Sequence, residues 1–192
     1  MKLTLILLSI LLTCNLNAAQ YTSPDGVVSL RASSIEVSAV GVTAKGYVHF
    51  ESIDKTAKTE LKANAKEIRI TFYEANKKGL SGLDAVKSAD IIGRLHLEYS
   101  TVDAAGNKLK STADADNGVF SGVDKLMHLN GNVNITHNNP SIFGAPATAN
   151  GDRAVINLNK NIAPDVAKFK IESTSEPSTI EFTPKKDTGK TK

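Results

Sequence analysis

The sequence predicts an all-β domain of layered antiparallel strands, and three observations predict it. First, a glycine-led phrase with apolar residues at every second place occurs three times in the 192 residues: Gly46-Tyr47-Val48-His49-Phe50, Gly93-Arg94-Leu95-His96-Leu97 and Gly131-Asn132-Val133-Asn134-Ile135. Second, each is followed by a related phrase, Ala63-Asn64-Ala65-Lys66-Glu67-Ile68, Ala113-Asp114-Ala115-Asp116-Asn117-Gly118 and Ala149-Asn150-Gly151-Asp152-Arg153-Ala154. The offsets from glycine to Asn or Asp are 18 (46 to 64), 21 (93 to 114) and 19 (131 to 150). Third, no segment carries the period of a long amphipathic helix, which argues against βαβ units. A repeated two-strand unit with one apolar face buries that face only against its neighbours, around a shared interior.

In chain order, the first element is a targeting segment. Lys2 supplies a positive start, Leu3–Leu12 a short apolar run, and Asn15–Ala19 a small, polar stretch suited to cleavage after Ala18 or Ala19. Ten residues are too few to span a bilayer as a helix, which takes roughly 20. The single cysteine, Cys14, lies inside this segment. The alternative, lipidation at Cys14, lacks the small residue expected just before it. An exported domain of residues 20–183, without thiols, depends on its core alone.

Strands are expected over Val27–Leu30, Ser34–Val40, Val42–Phe50, Leu61–Tyr73, Ile91–Tyr99, Leu109–Phe120, Lys125–His137, Ala147–Leu158 and Val166–Ser173, with Ile180–Thr183 as a last short one. Turn chemistry separates them, as at Pro24-Asp25-Gly26, Asn138-Asn139-Pro140 and Ala163-Pro164-Asp165. Residues 75–90 read as an inserted loop with a helical turn near Gly82–Lys87. Pro184–Lys192 reads as a disordered basic tail. That tail holds four lysines against one aspartate, which accounts for the formal net charge of +3. The body is therefore close to neutral, and no basic stripe interleaved with aromatics indicates a nucleic-acid partner.

Alternation assigns the faces. Val48, Phe50, Leu95, Leu97, Val133 and Ile135 point one way, while Tyr47, His49, Arg94, His96, Asn132 and Asn134 point the other. Ile68, Ile70 and Phe72, then Ala154, Ile156 and Leu158, are the inward sets of the second phrases. A one-residue slip would invert every assignment, so agreement among the copies argues for a common register.

Catalytic constellations are weak. His49 and His96 hold equivalent outward places where the third copy has Asn134, the pattern of a tolerant polar face. Nothing has the ligand spacing of a metal site, and no cofactor motif occurs. Asp114 and Asp116 share a strand face but read as solvated acids, and Ser121-Gly122 lacks the flanking glycine of a nucleophile elbow.

The densest phrase, Leu129-Asn130-Gly131-Asn132-Val133 followed by Ala149-Asn150-Gly151-Asp152-Arg153-Ala154-Val155-Ile156, resembles the OstA-like, LptA-like domain of periplasmic lipopolysaccharide-transport proteins. The resemblance is carried by residues 109–158. It implies a β-taco or jelly roll of antiparallel strands, open at both ends, with an apolar groove for acyl chains. It further implies a non-catalytic protein of the periplasm that handles or bridges lipopolysaccharide or a similar lipid toward the outer membrane. Its partners would be that lipid, and other Lpt components or a second copy through end-to-end strand pairing. The groove would be lined by Val48, Phe50, Ile68, Ile70, Leu95, Leu97, Phe120, Val133, Ile135, Ile156 and Leu158. The alternative is an exported structural or adhesive β-sandwich with a closed core and a protein or glycan partner.

Overall fold

The computed structural model describes residues 18–23, 25–56, 58–73, 80, 82–102, 106–159, 169–174 and 177–185. The targeting segment with Cys14, residues 75–79 and 81 of the inserted segment, the start of the Val166–Ser173 strand and the tail beyond 185 lie outside the described residues. Eleven strands form one antiparallel sheet: β1 (Ala19–Thr22), β2 (Val28–Ala32), β3 (Ser34–Val37), β4 (Gly41–Asp54), β5 (Thr59–Phe72), β6 (Val86–Val102), β7 (Lys108–Ser121), β8 (Leu126–Asn138), β9 (Phe143–Asn157), β10 (Phe169–Glu172) and β11 (Thr179–Pro184). Their order is β1-β2-β4-β5-β6-β7-β8-β9-β10, with β3 also beside β4 and β11 also beside β9. The sheet does not close into a barrel. Among the described residues the only helical element is a 3₁₀ turn, Gly82–Asp84.

Strands β4 to β9 run 13 to 17 residues, well beyond the usual ~5–6. They are long because each serves two layers. The repeated glycines sit in mid-strand, at the bend. Gly46-Tyr47, Gly93-Arg94 and Gly131-Asn132 all have positive φ, with glycine at 77–78° and its follower at 49–51°. At each place the ladder skips: Lys45 pairs Glu67 and Val48 pairs Ala65, so two residues of β4 oppose Lys66 alone. The same skip places Gly93-Arg94 opposite Asp116 and Gly131-Asn132 opposite Asp152. Bulges of this kind bend a strand and raise its twist. Three aligned on alternate strands make one corner across the sheet.

The corner also crowds. A β-carbon on Gly131 would sit 2.3 Å from Asp116 Oδ2, and one on Gly93 would sit 2.8 Å from Lys66 Cδ. The positive φ favours glycine at each of the three, and at Gly131 the close approach of Asp116 adds to it.

The bend divides the sheet into two arms. The first arm holds β1, β2, β11 and residues 48–54, 59–65, 95–102, 108–115, 133–138 and 143–150. The second holds β3, β10 and residues 41–45, 67–72, 86–92, 117–121, 126–130 and 153–157. Burial shows the two faces meeting. On β4 the buried residues keep parity through the bulge (Val42, Ala44, then Val48, Phe50). On β5 parity changes (Ala63, Ala65, then Ile68, Ile70), as it does on β7 (Ala113, Ala115, then Gly118, Phe120). Opposite a two-residue bulge, the partner turns its corner on one residue fewer, so only this parity change keeps both halves facing inward.

Several boundaries differ from those expected. β6 begins at Val86, so the last part of the 75–90 insertion is strand, built as pairs such as Ala89 with Ile70 and Asp90 with Arg69. β3 ends at Val37, because Ser38 closes a tight turn: Gly41 N–H donates to Ser38 Oγ at 3.1 Å and Ser38 N–H to the Gly41 carbonyl at 2.9 Å. β1 was not expected. It pairs Ala19 with Ala32 and Tyr21 with Leu30.

Candidate functional site

The inner faces of the two arms form the candidate site. Nearest the corner, Val48 lies beside Ala65, Leu95 beside Ala115, and Val133 beside Gly151. The next row of the first arm runs across eight strands in register: Tyr21, Leu30, Phe50, Ala63, Leu97, Ala113, Ile135, Ala149 and, at the far edge, Ile180 on the ninth. From Phe50 to Ile180 large side chains alternate with alanine along it, so the opposing arm can interdigitate. The second arm presents Val37, Val42, Ile70, Ala89, Phe120, Met127, Ile156 and Phe169 as its matching row.

All eleven residues expected to line a groove therefore lie on inner faces. Val48, Phe50, Leu95, Leu97, Val133 and Ile135 come from the first arm; Ile68, Ile70, Phe120, Ile156 and Leu158 come from the second arm and its end. Ten are buried and Ile156 is half-buried against the same core. The arms are in contact rather than parted, since inner residues of both are buried together in one core. Two narrow gaps remain. One of about 40 Å³ lies among Leu97, Ile135, His137, Leu158 and Phe169. The other, about 20 Å³, lies among Phe50, Ile70, Leu83 and Met127. Leu97 lines both.

Toward the open side of the V, the first arm changes character. Its third inner row reads Val28, Ser52, Leu61, Tyr99, Ser111, His137 and Ala147. Ser111 and His137 share a hydrogen bond of 2.8 Å, and the His137 ring lies 6.4 Å from Phe169 of the other arm. This amphipathic lip was missed in the sequence. Its signal was present: Ser52, Tyr99 and His137 each stand two places after an inner apolar residue, on the same parity.

At both sheet edges the inner face runs past its cover. Ile180 is 59% and Phe182 61% exposed at one edge, and Val37 64% at the other. The Phe182 ring lies beside Phe143, with ring centroids 6.2 Å apart, and Phe143 continues edge-on to His137.

The outer face is polar and paired. His49 Nδ1 meets Asn64 Oδ1 at 2.8 Å, His96 Nδ1 meets Asp114 Oδ1 at 2.7 Å, and Asn134 Nδ2 donates to Asn150 Oδ1 at 2.6 Å. These are the same cross-strand pair in three copies. Asp114, with Glu98 beyond it, raises the His96 pKa above the usual imidazole value against the opposing effect of burial. Lys110, 2.9 Å from Glu98, holds that carboxyl below its ordinary value. Asp114 and Asp116 do different work: Asp116 sits at the corner, where Asn132 Nδ2 donates to it at 2.9 Å. Among the described residues, no three His, Cys, Asp or Glu side chains are grouped to hold a metal.

In sequence, no family profile and no curated protein matches the chain. In structure, it is similar to the crystal structure of LptH, the LptA-homologous periplasmic component of the lipopolysaccharide transport device of Pseudomonas aeruginosa. The match has a TM-score of 0.52 at 12% identity and covers 81% of this chain and 93% of that one. The chain has the LptA-like fold. In that fold's terms the corner row is the crease of the taco, and the amphipathic row is its lip.

Proposed function

We propose that the chain is a non-catalytic lipid-handling protein of the periplasm, which carries or bridges lipopolysaccharide or a similar lipid toward the outer membrane between its two arms. One observation carries this reading. The inner apolar rows run in register across the whole sheet and emerge uncovered at both edges, at Val37 and at Ile180 with Phe182. A closed sandwich has no use for an apolar face that outruns its cover. Acyl chains suit it, since each buried methylene contributes about 0.8 kcal/mol and asks for no polar partner. The periplasmic transport role of LptH supports the same reading at the level of fold.

The arms hold each other's side chains in this state, so a chain enters only by parting them or displacing those side chains. Val48, Phe50, Ile68, Ile70, Leu95, Leu97, Phe120, Val133, Ile135, Ile156 and Leu158 are the groups it would meet. The outer edges of β1 and β3, and of β10 and β11, have no further strand beside them among the described residues and offer places for another Lpt-type component or a second copy to add a strand. The filled interior is also the observation that favours the second reading, a structural or adhesive β-sandwich. A photo-crosslinking residue at Ile135 or Ile70, each beside one of the two gaps, separates them. Lipid adducts formed in cells support the conduit; crosslinks confined to the protein itself sink it.

A further inference from the structure

Toward the open side of the V, one described turn is tied to both arms. The Gly82–Asp84 turn is tied to the first arm's loop, where Gly82 N–H donates to Asp25 Oδ2 at 2.9 Å. It is tied to the second arm by Lys125, whose Nζ lies 2.9 Å from Asp84 Oδ1 and donates to the Leu83 carbonyl at 3.3 Å. Between these tethers the Leu83 side chain packs on the core and walls the 20 Å³ gap.

Beside the turn lies a recess of about 450 Å³ that shares Leu61 and Leu83 with that gap and Tyr99 with the other. Its rim is polar, with Asp54, Lys55 and Thr56 at the β4–β5 hairpin. Its wall includes Ser52, which is 4% exposed and is the one polar residue among the fully buried positions described. Ser52 stands in an inner row, where its neighbours Val28 and Leu61 are apolar. A polar rim, a hydroxyl in the wall and an apolar floor that leads inward are the grading of an amphiphile, head to tail.

We propose that this recess is a lateral site for a single-chain amphiphile. The polar group rests against Ser52 and the Asp54–Thr56 rim, and the chain passes Leu61 into the interior in the place of Leu83. With Leu83 displaced, the recess, the 20 Å³ gap and, past Leu97, the 40 Å³ gap lie on one path. The proposal rests on the lipid-handling reading but goes beyond it, because an end-to-end track alone needs no side mouth.

The turn can be stapled. A β-carbon on Gly82 lies 3.6 Å from Val27 Cβ, inside the roughly 3.5–4.5 Å that a disulfide spans. With Cys14→Ser, the pair Val27→Cys and Gly82→Cys provides the only thiols; because Gly82 has φ 55°, a strained value for cysteine, the fold of both forms is first checked by circular dichroism. Uptake of dansyl-undecanoic acid is followed by stopped-flow fluorescence in the oxidised and reduced forms of this one protein. The expected result is uptake at least about tenfold slower when oxidised, equivalent to ~1.4 kcal/mol on the barrier, with full recovery on reduction. Equal rates in the two forms overturn the side mouth and leave the conduit standing. No uptake in either form, with lipid adducts still formed at Ile135, overturns the side mouth alone; no uptake and no adducts overturns both. Leu83→Ala, with its fold checked by circular dichroism, should take up the probe faster, and an unchanged rate also counts against the mouth.

Discussion

One level of the sheet can be compared on its two sides. Inside, Leu30, Phe50, Ala63, Leu97, Ala113, Ile135 and Ala149 stand in one row; one residue along, outside, stand Arg31, His49, Asn64, His96, Asp114, Asn134 and Asn150. Both rows repeat with the three-copy unit, but under different rules. The inner row keeps volume: a large apolar side chain on each bulged strand, an alanine on its partner. The outer row keeps only a hydrogen bond, which His-Asn, His-Asp and Asn-Asn satisfy alike. The difference teaches that packing defines this fold while the polar ladder decorates it, because a solvated pair gains little over its bonds to water.

The largest effect should come from breaking the inner row. Leu97→Ala removes a fully buried side chain between two gaps and should cost about 2–5 kcal/mol, read as a drop in the urea midpoint with unchanged slope. Next is the corner between the two rows: Gly131→Ala should cost on the order of 1–3 kcal/mol, since it sets a strained φ and a contact with Asp116 against each other. The reverse change should stabilise. Tyr47, 96% exposed at φ 51°, has no packing to lose, so Tyr47→Asn, the choice already made at Asn132, should add up to about 1 kcal/mol of stability, read as a higher urea midpoint.

The smallest effect belongs to the outer row and is pH-dependent. His96 has its pKa raised in the fold by Asp114, so its stabilisation is complete below the unfolded imidazole value and is lost as pH rises through the folded one. His96→Asn should therefore narrow the gap in stability between about pH 5.5 and about pH 9, by less than ~1 kcal/mol because the pair is exposed. A loss as large as that of Leu97→Ala would erase the contrast between the faces.

Most of the architecture was legible because its signals are local. Alternation identified the inner residues of β4, β6 and β8, where a two-residue bulge preserves parity. It gave the inward set Ile68, Ile70 and Phe72 but did not show that Ala63 and Ala65, of opposite parity on the same strand, face the same interior. That requires knowing the strand bends at Lys66. The glycines were visible as a repeat inside the expected strands Val42–Phe50, Ile91–Tyr99 and Lys125–His137, yet the bulges they form depend on the partner's register, which one segment does not contain. β1 was obscured by its position beside the targeting segment, and the start of β6 by the loop-like composition of residues 75–90. The lip residues were hidden by chemistry: Ser52, Ser111 and His137 look like surface, and only their parity marks them as inner.

The corner has a mechanical consequence. Six long strands cross it, so each arm is covalently continuous with the other at six places along the crease. Rotation about the crease is the deformation the ladder resists least, because it already lacks pairs there at five places, between each neighbouring pair of strands from β4 to β9. The sheet is thus stiff along its length and compliant in one angle, like a hinged book cover, and any cargo between the pages acts on that single angle.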